Sequence, residues 1–149
     1  MAKIERSIEI RAPVEKVFDF VADWRNKLRF FEGIYDWKPT TEKTRGDGAR
    51  FVYKVKVLGR EYETEDEVSD FVENRRWSCT SVRGVQSKHE WIFSRLDEKT
   101  IVIFLSEYKP PVPILGVVLD VLFFKWRWQR NVERSLQNLK KLLEEQTPG

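Results

Sequence analysis

Two polar side chains stand at positions where a period-two reading puts the inside of a sheet: Asp66, in the run 61–72, and His89, in the run 86–95. A carboxylate and an imidazole facing one interior can read the two ends of a ligand's polar group. In an enzymatic alternative His89 serves as general base or acid while Asp66 positions the substrate. A buried carboxylate must be paired, solvated or protonated; the plainer reading turns Asp66 outward on a bulge or leaves His89 at the sheet rim. If Glu73-Asn74 is a two-residue turn, Asp66 falls opposite Ser81, with His89 near the same level two strand spacings away, about 9 to 10 Å. Such a gap suits a bridging ligand or water better than a direct dyad.

Other chemistries are poorly provided for. One His and one Cys give no cluster with the ligand count of a zinc site, so neither a metal nor a cofactor is expected. The chain has no Gly-rich phosphate loop, nucleophile elbow or paired-Cys motif, and Gly46-Asp47-Gly48 reads as a hairpin turn. KWRWQRNVER, from Lys125 to Arg134, interleaves bases with Trp126 and Trp128. A helix sets those two rings about 200° apart, and a net charge of +3 is too small an excess to indicate nucleic acid. The lone Cys79 forms no internal disulfide, and no apolar leader follows the first basic residue, which together suggest a cytoplasmic setting.

The elements that position these residues are legible in the pattern. Residues 3–11 alternate as a strand, Pro13 suits a first helical turn, and Val14, Val17, Phe18 and Val21 recur at helical spacing. Asp23 can cap a second short helix through Trp24, Leu28 and Phe31, ended by Gly33. Six strands then follow at 34–41, 49–58, 61–72, 75–82, 86–95 and 100–108, each bounded by a turn signal, which predicts an antiparallel meander. Phe51, Tyr53, Val55 and Val57 share the inner face, as do Tyr62, Thr64, Asp66 and Val68, then Trp77, Cys79 and Ser81, then Ser87, His89, Trp91 and Phe93. The outer faces set a lysine row beside a glutamate row, pairs worth about 0.2 to 1 kcal/mol each that help fix register. Residues 100–108 are apolar on both faces, so their inward side stays open between Val102 with Phe104 and Ile103 with Leu105.

One long helical pattern covers 114–146, with Leu115, Val118, Leu122, Val132, Leu136, Leu139 and Leu143 as the inward stripe. Val117, Val121, Phe124 and Trp128 lie off that stripe and are expected to form an exposed apolar patch, suited to a membrane surface or a homodimer, with Lys125 and Arg127 beside it. The whole, residues 1–149, reads as one α+β domain: a curved antiparallel sheet of about seven strands around a long C-terminal helix, with two short helices after strand 1. Tyr53, Tyr62, Asp66, Trp77, Ser81, His89, Trp91, Leu115, Val118 and Leu122 would then line an apolar pocket.

The first strand followed by RAPVEKVFDFVADW, with GI nine residues after that Trp, and the closing RSLQNLKKLLEE resemble the polyketide cyclase/dehydrase and lipid-transport superfamily, the START-like or helix-grip fold. The resemblance spans almost the whole chain, although its motifs are structural and not catalytic. Where that family usually has a Pro-Gly turn, this chain reads FFEGI. The resemblance implies a cavity between sheet and helix, and a binder or carrier of a hydrophobic small molecule such as a lipid, quinone or polyketide. Its alternatives are a cyclase or dehydratase using Asp66 and His89, and a protein-interaction module with an inert cavity.

Overall fold

The described residues form seven strands: β1 (Ala2–Ile10), β2 (Tyr35–Pro39), β3 (Arg50–Val57), β4 (Arg60–Val72), β5 (Arg76–Arg83), β6 (Ser87–Leu96) and β7 (Lys99–Tyr108). The helices are α1 (Val14–Ala22), a 3-10 turn (Trp24–Asn26), α2 (Lys27–Phe30) and α3 (Val118–Glu145). The computed structural model describes residues 2–57, 59–110 and 118–145, the side chain of Val118 excepted. One antiparallel sheet has the order β1-β7-β6-β5-β4-β3-β2, so β2 to β7 form the expected meander and β1 closes onto β7.

The charge rows meet as their spacing requires. Lys54 lies opposite Glu63, Lys56 opposite Glu61 and Arg50 opposite Glu67, the last pair joined at 2.9 Å. Fixing the outer face fixes the inner one, and Phe51, Tyr53, Thr64, Asp66, Val68, Trp77, Trp91 and Phe93 are all buried. On β7 it is Val102 and Phe104, with Thr100, Ser106 and Tyr108, that turn inward.

Asp66 does pair with Ser81, but by a different route from the one the sequence suggests. The β4–β5 turn has three residues, with the Arg75 amide donating to the Val72 carbonyl, so that Val72 pairs with Arg76. A register shift between Ser69 and Val72, where Asp70 takes a φ of 53°, absorbs the extra residue. His89 pairs with Cys79, which itself faces Val68, so the imidazole sits two residues along the sheet from the level of Asp66.

The short helices close the open side of the sheet. Val14, Val17, Phe18 and Val21 of α1 are buried, and the Asp23 carboxylate accepts from the Arg25 amide at 3.0 Å as the expected cap. Lys27 and Phe30 of α2 and Phe31 just after it face inward, whereas Leu28 is 48% exposed. The segment after α2 is tied to the long helix: Ser135 Oγ accepts from the Glu32 amide at 2.8 Å, and Asn138 donates to the Phe30 carbonyl at 3.1 Å. Gly33 lies between, at φ 94°, where an added Cβ would come within 2.5 Å of Asn131 Nδ2. This is the close approach that FFEGI makes possible.

Along α3 the buried stripe is Trp128, Val132, Leu136, Leu139 and Leu143. The C-terminal half follows the sequence reading and the N-terminal half reverses it. Leu122 is 57% exposed, and Trp128, expected on the outside, is buried. Ten residues separate Leu122 from Val132, a rotation that leaves them about 80° apart on an α-helix, whereas steps of four connect Phe124, Trp128 and Val132. Phe124 and Val121 are half-buried, with Phe124 edge-on to Tyr108 at 5.3 Å. On the described part of α3 the exposed large apolar residues are Leu119, Leu122, Phe123 and Trp126. Leu115 and Val117 lie outside the described residues. At the far end, Lys140 donates to the Glu9 carbonyl at 2.7 Å and the Arg11 amide donates to Glu144 at 2.9 Å, clamping α3 onto the end of β1.

Candidate functional site

The interior between sheet and α3 is dominated by rings. Phe31 touches Trp91, Phe104 and Trp128 at centroid separations of 5.6 to 6.2 Å, and Trp37 stacks on Phe51 at 4.8 Å. Such rings contribute large apolar area and little flexibility, so the gaps between them are shaped and persistent. Among the described residues the rings leave an inner hollow offering about 40 Å³ to water-sized occupants, a central one offering about 30 Å³ and an outer one offering about 50 Å³. Each has room for a few waters. Lys27, Trp37 and Cys79 are shared walls between the inner and central hollows, and Tyr53, His89 and Trp128 between the central and outer ones.

Around the central hollow the polar groups are few and incompletely paired. Tyr53 Oη donates to Asp66 Oδ2 at 3.0 Å, a buried bond made across the β3–β4 pair. Among the described residues Asp66 Oδ1, His89 Nδ1 and Trp37 Nε1 have no protein hydrogen-bond partner, nor does Tyr108 Oη beside the outer hollow. Trp128 is fixed differently, its indole N–H donating to Ser106 Oγ at 3.1 Å.

Burial sets the ionisation of these groups. It pushes the Asp66 carboxyl up to about 7, against the opposing pull of the Tyr53 hydroxyl and the charge of Lys27. It holds the His89 imidazole down at about 3, Lys27 adding to the effect, so His89 is neutral at physiological pH and lies flat on Phe104 with centroids 5.7 Å apart. Tyr53 is raised well above its ordinary value by burial and by the neighbouring carboxyl. The Cys79 thiol, pushed up to about 12 by burial, is not a nucleophile at neutral pH.

A further polar group, Lys27, is not evident from the sequence. Its amine lies 4.7 Å from the centroid of Phe31 and 5.0 Å from those of Trp37 and Trp91. Although the residue as a whole is half-buried, protein crowds around the amine, and this desolvation lowers its pKa. The only available signal was positional, since Lys27 precedes Phe31 by one helical turn and so shares its face.

Of the pocket residues expected from the sequence, Tyr53, Asp66, His89 and Trp91 meet at the central hollow and Trp77 lines the inner one. Ser81 does not line a hollow; its Oγ accepts from the Ser87 amide at 3.0 Å, a bond that holds the end of the β5–β6 hairpin. Tyr62 is half-buried beside Val55 and lines none of the three. Leu122 is on the solvent side of α3 and does not belong to the pocket. Leu115 and the side chain of Val118 lie outside the described residues. Among the described residues no group of three or more His, Cys, Asp or Glu is placed to hold a metal ion, and no helix is long and apolar enough to cross a membrane.

A curved seven-stranded antiparallel sheet gripping a long helix, with aromatic hollows and scattered polar atoms between them, defines an α+β helix-grip domain. The family model described as polyketide cyclase / dehydrase and lipid transport matches residues 1–144, and the chain belongs to that family. Solved structures with the same fold include a protein of Thermus thermophilus, 21% identical over 99% of this chain and 100% of its own, with a TM-score of 0.82. The Zhui aromatase/cyclase from a Streptomyces species is 17% identical over 99% of this chain and 96% of its own, with a TM-score of 0.80. A START superfamily protein from Mycobacterium smegmatis is 16% identical over 97% of this chain and 99% of its own, with a TM-score of 0.74. No curated protein matches the sequence.

Proposed function

We propose that the protein binds a hydrophobic small molecule in the central hollow, with the flanking hollows opening into it as the shared side chains turn aside. The observation that carries this reading is the set of unpaired polar atoms facing aromatic walls: Asp66 Oδ1, His89 Nδ1 and Trp37 Nε1. Each such atom costs about 1–3 kcal/mol if left unsatisfied, and apolar residues of the same size would fill the space without that cost. A ligand with a polar edge, or waters that it displaces, repays it. Family membership supports the same reading, as does the aromatase/cyclase among the structural relatives.

The small size of each hollow favours a second reading, an interaction module whose own rings fill the cavity. An enzymatic role is supported less by His89, whose depressed pKa makes a weak base, than by Asp66, whose carboxyl near 7 is matched to proton transfer at neutral pH. Native mass spectrometry of the purified protein, followed by solvent extraction, separates these readings. A binder retains or takes up apolar compounds and melts at a higher temperature with them, as linkage requires. If a broad panel of apolar compounds neither binds nor shifts the melting temperature, the interaction module is the better account.

A further inference from the structure

Lys27 has no structural purpose that an apolar residue would not serve better. It stands on a helix of one turn, Lys27–Phe30, and sends its amine into the space bounded by Phe31, Trp37 and Trp91. Among the described residues it has no ion pair within 4.0 Å; Asp66 influences its charge through space but does not touch it. A Leu or Met in its place would pack on the same rings with no cation to desolvate, and ring faces repay only part of that cost. A desolvated ammonium inside an aromatic wall is, by contrast, well suited to an oxygen anion carried on a flat apolar body. The rings hold the body and the amine supplies the counter-charge.

Resting on the reading of the hollow as a ligand site, we propose that Lys27 recognises an acidic oxygen, so that the ligand is a planar aromatic molecule bearing a carboxylate. The carboxylate lies against the Lys27 amine, and the rings of Phe31, Trp37 and Trp91 bound the aromatic body. Neutral aromatics of the same shape enter more weakly, because they leave the ammonium without a partner.

Two probes test this, 1-naphthoate and 1-naphthalenemethanol, titrated calorimetrically and by tryptophan fluorescence against the wild type, Lys27→Met, Lys27→Gln and Arg127→Met. Arg127 and Lys56 both border the outer hollow, and Arg127 is the competing cation put to the test. The expected result is naphthoate binding to the wild type at least about tenfold tighter than the alcohol, since a hydrogen bond to a charged group contributes on that scale. Both Lys27 variants should lose that preference while binding the alcohol at least as tightly as the wild type does, and Arg127→Met should keep it. Equal binding of the two probes to the wild type, or a preference that survives Lys27→Gln or disappears with Arg127→Met, overturns the assignment and leaves the ligand site standing. Binding of neither probe to the wild type, together with failure of the wider apolar panel, removes the ligand site and this proposal with it.

Discussion

Replacing Asp66 by Asn should make the protein more stable at alkaline pH, and the size of the gain follows from its surroundings. The carboxyl is 2% exposed, accepts one hydrogen bond from Tyr53 at 3.0 Å, and has its other oxygen unpaired. Burial raises its pKa from 3.8 to about 7. For an acid raised on folding, the unfolded chain binds fewer protons than the native one between those values. Stability therefore falls as pH rises from about 4 to about 7 and levels off above. Three pKa units correspond to a ceiling of about 4 kcal/mol, and relaxation with water entry brings the expected cost to about 2 kcal/mol. Asn keeps the shape and an acceptor for Tyr53 but carries no charge. Urea unfolding of wild type and Asp66→Asn at pH 4, 6 and 8.5 should show little difference at pH 4 and a variant more stable by about 2 kcal/mol at pH 8.5. A variant less stable at pH 8.5, or a difference independent of pH, would refute the argument that Asp66 is a desolvated carboxyl.

Other consequences of the packing are equally direct. Trp128→Ala should cost about 3–5 kcal/mol by opening a cavity beneath α3, whereas Phe123→Ser, five residues earlier on the solvent side, should change stability by less than about 0.5 kcal/mol, both read from urea midpoints. Glu144, held down at about 2 by the Lys140 amine and the Arg11 amide, contributes stability that is fully present above the ordinary glutamate range and lost as pH falls toward 2. Glu144→Gln should accordingly cost about 1–2 kcal/mol at pH 7, with the difference vanishing near pH 2, as followed by thermal melts across that range.

Where a strand carries charged and apolar residues in alternation, its faces are legible. The lysine row of β3 and the glutamate row of β4 mark the outside and leave Tyr53 and Asp66 on the buried side, although Tyr62 on the same side of β4 stays half-buried. β7 offered no such contrast, because both of its faces are apolar, and only its pairing with β1 and β6 selects Val102 and Phe104. The start of α3 failed for the same reason. With apolar residues nearly all round, the stripe could be continued from Val132 through either Trp128 or Leu122, and contact with Phe31 and Ser106 decides for Trp128. The register of Asp66 against Ser81 came from two compensating features, a longer turn and a bulge at Asp70, neither visible in the spacing. Lys27 was missed because a lysine on a short helix ordinarily faces water, and only the tertiary placement of three rings around it shows otherwise.

If the proposed function is right, a hydrophobic ligand sits in the hollow bounded by Lys27, Tyr53, Asp66 and His89. The most direct measurement is a structure, or an NMR chemical-shift map, of the protein saturated with an apolar aromatic compound that binds it. Density or shift changes should be confined to that hollow and its two neighbours, with the rings of Trp37 and Trp128 displaced to join them. A ligand seated on the outer face of α3 beside Phe123 and Trp126, with the interior unchanged, would contradict it.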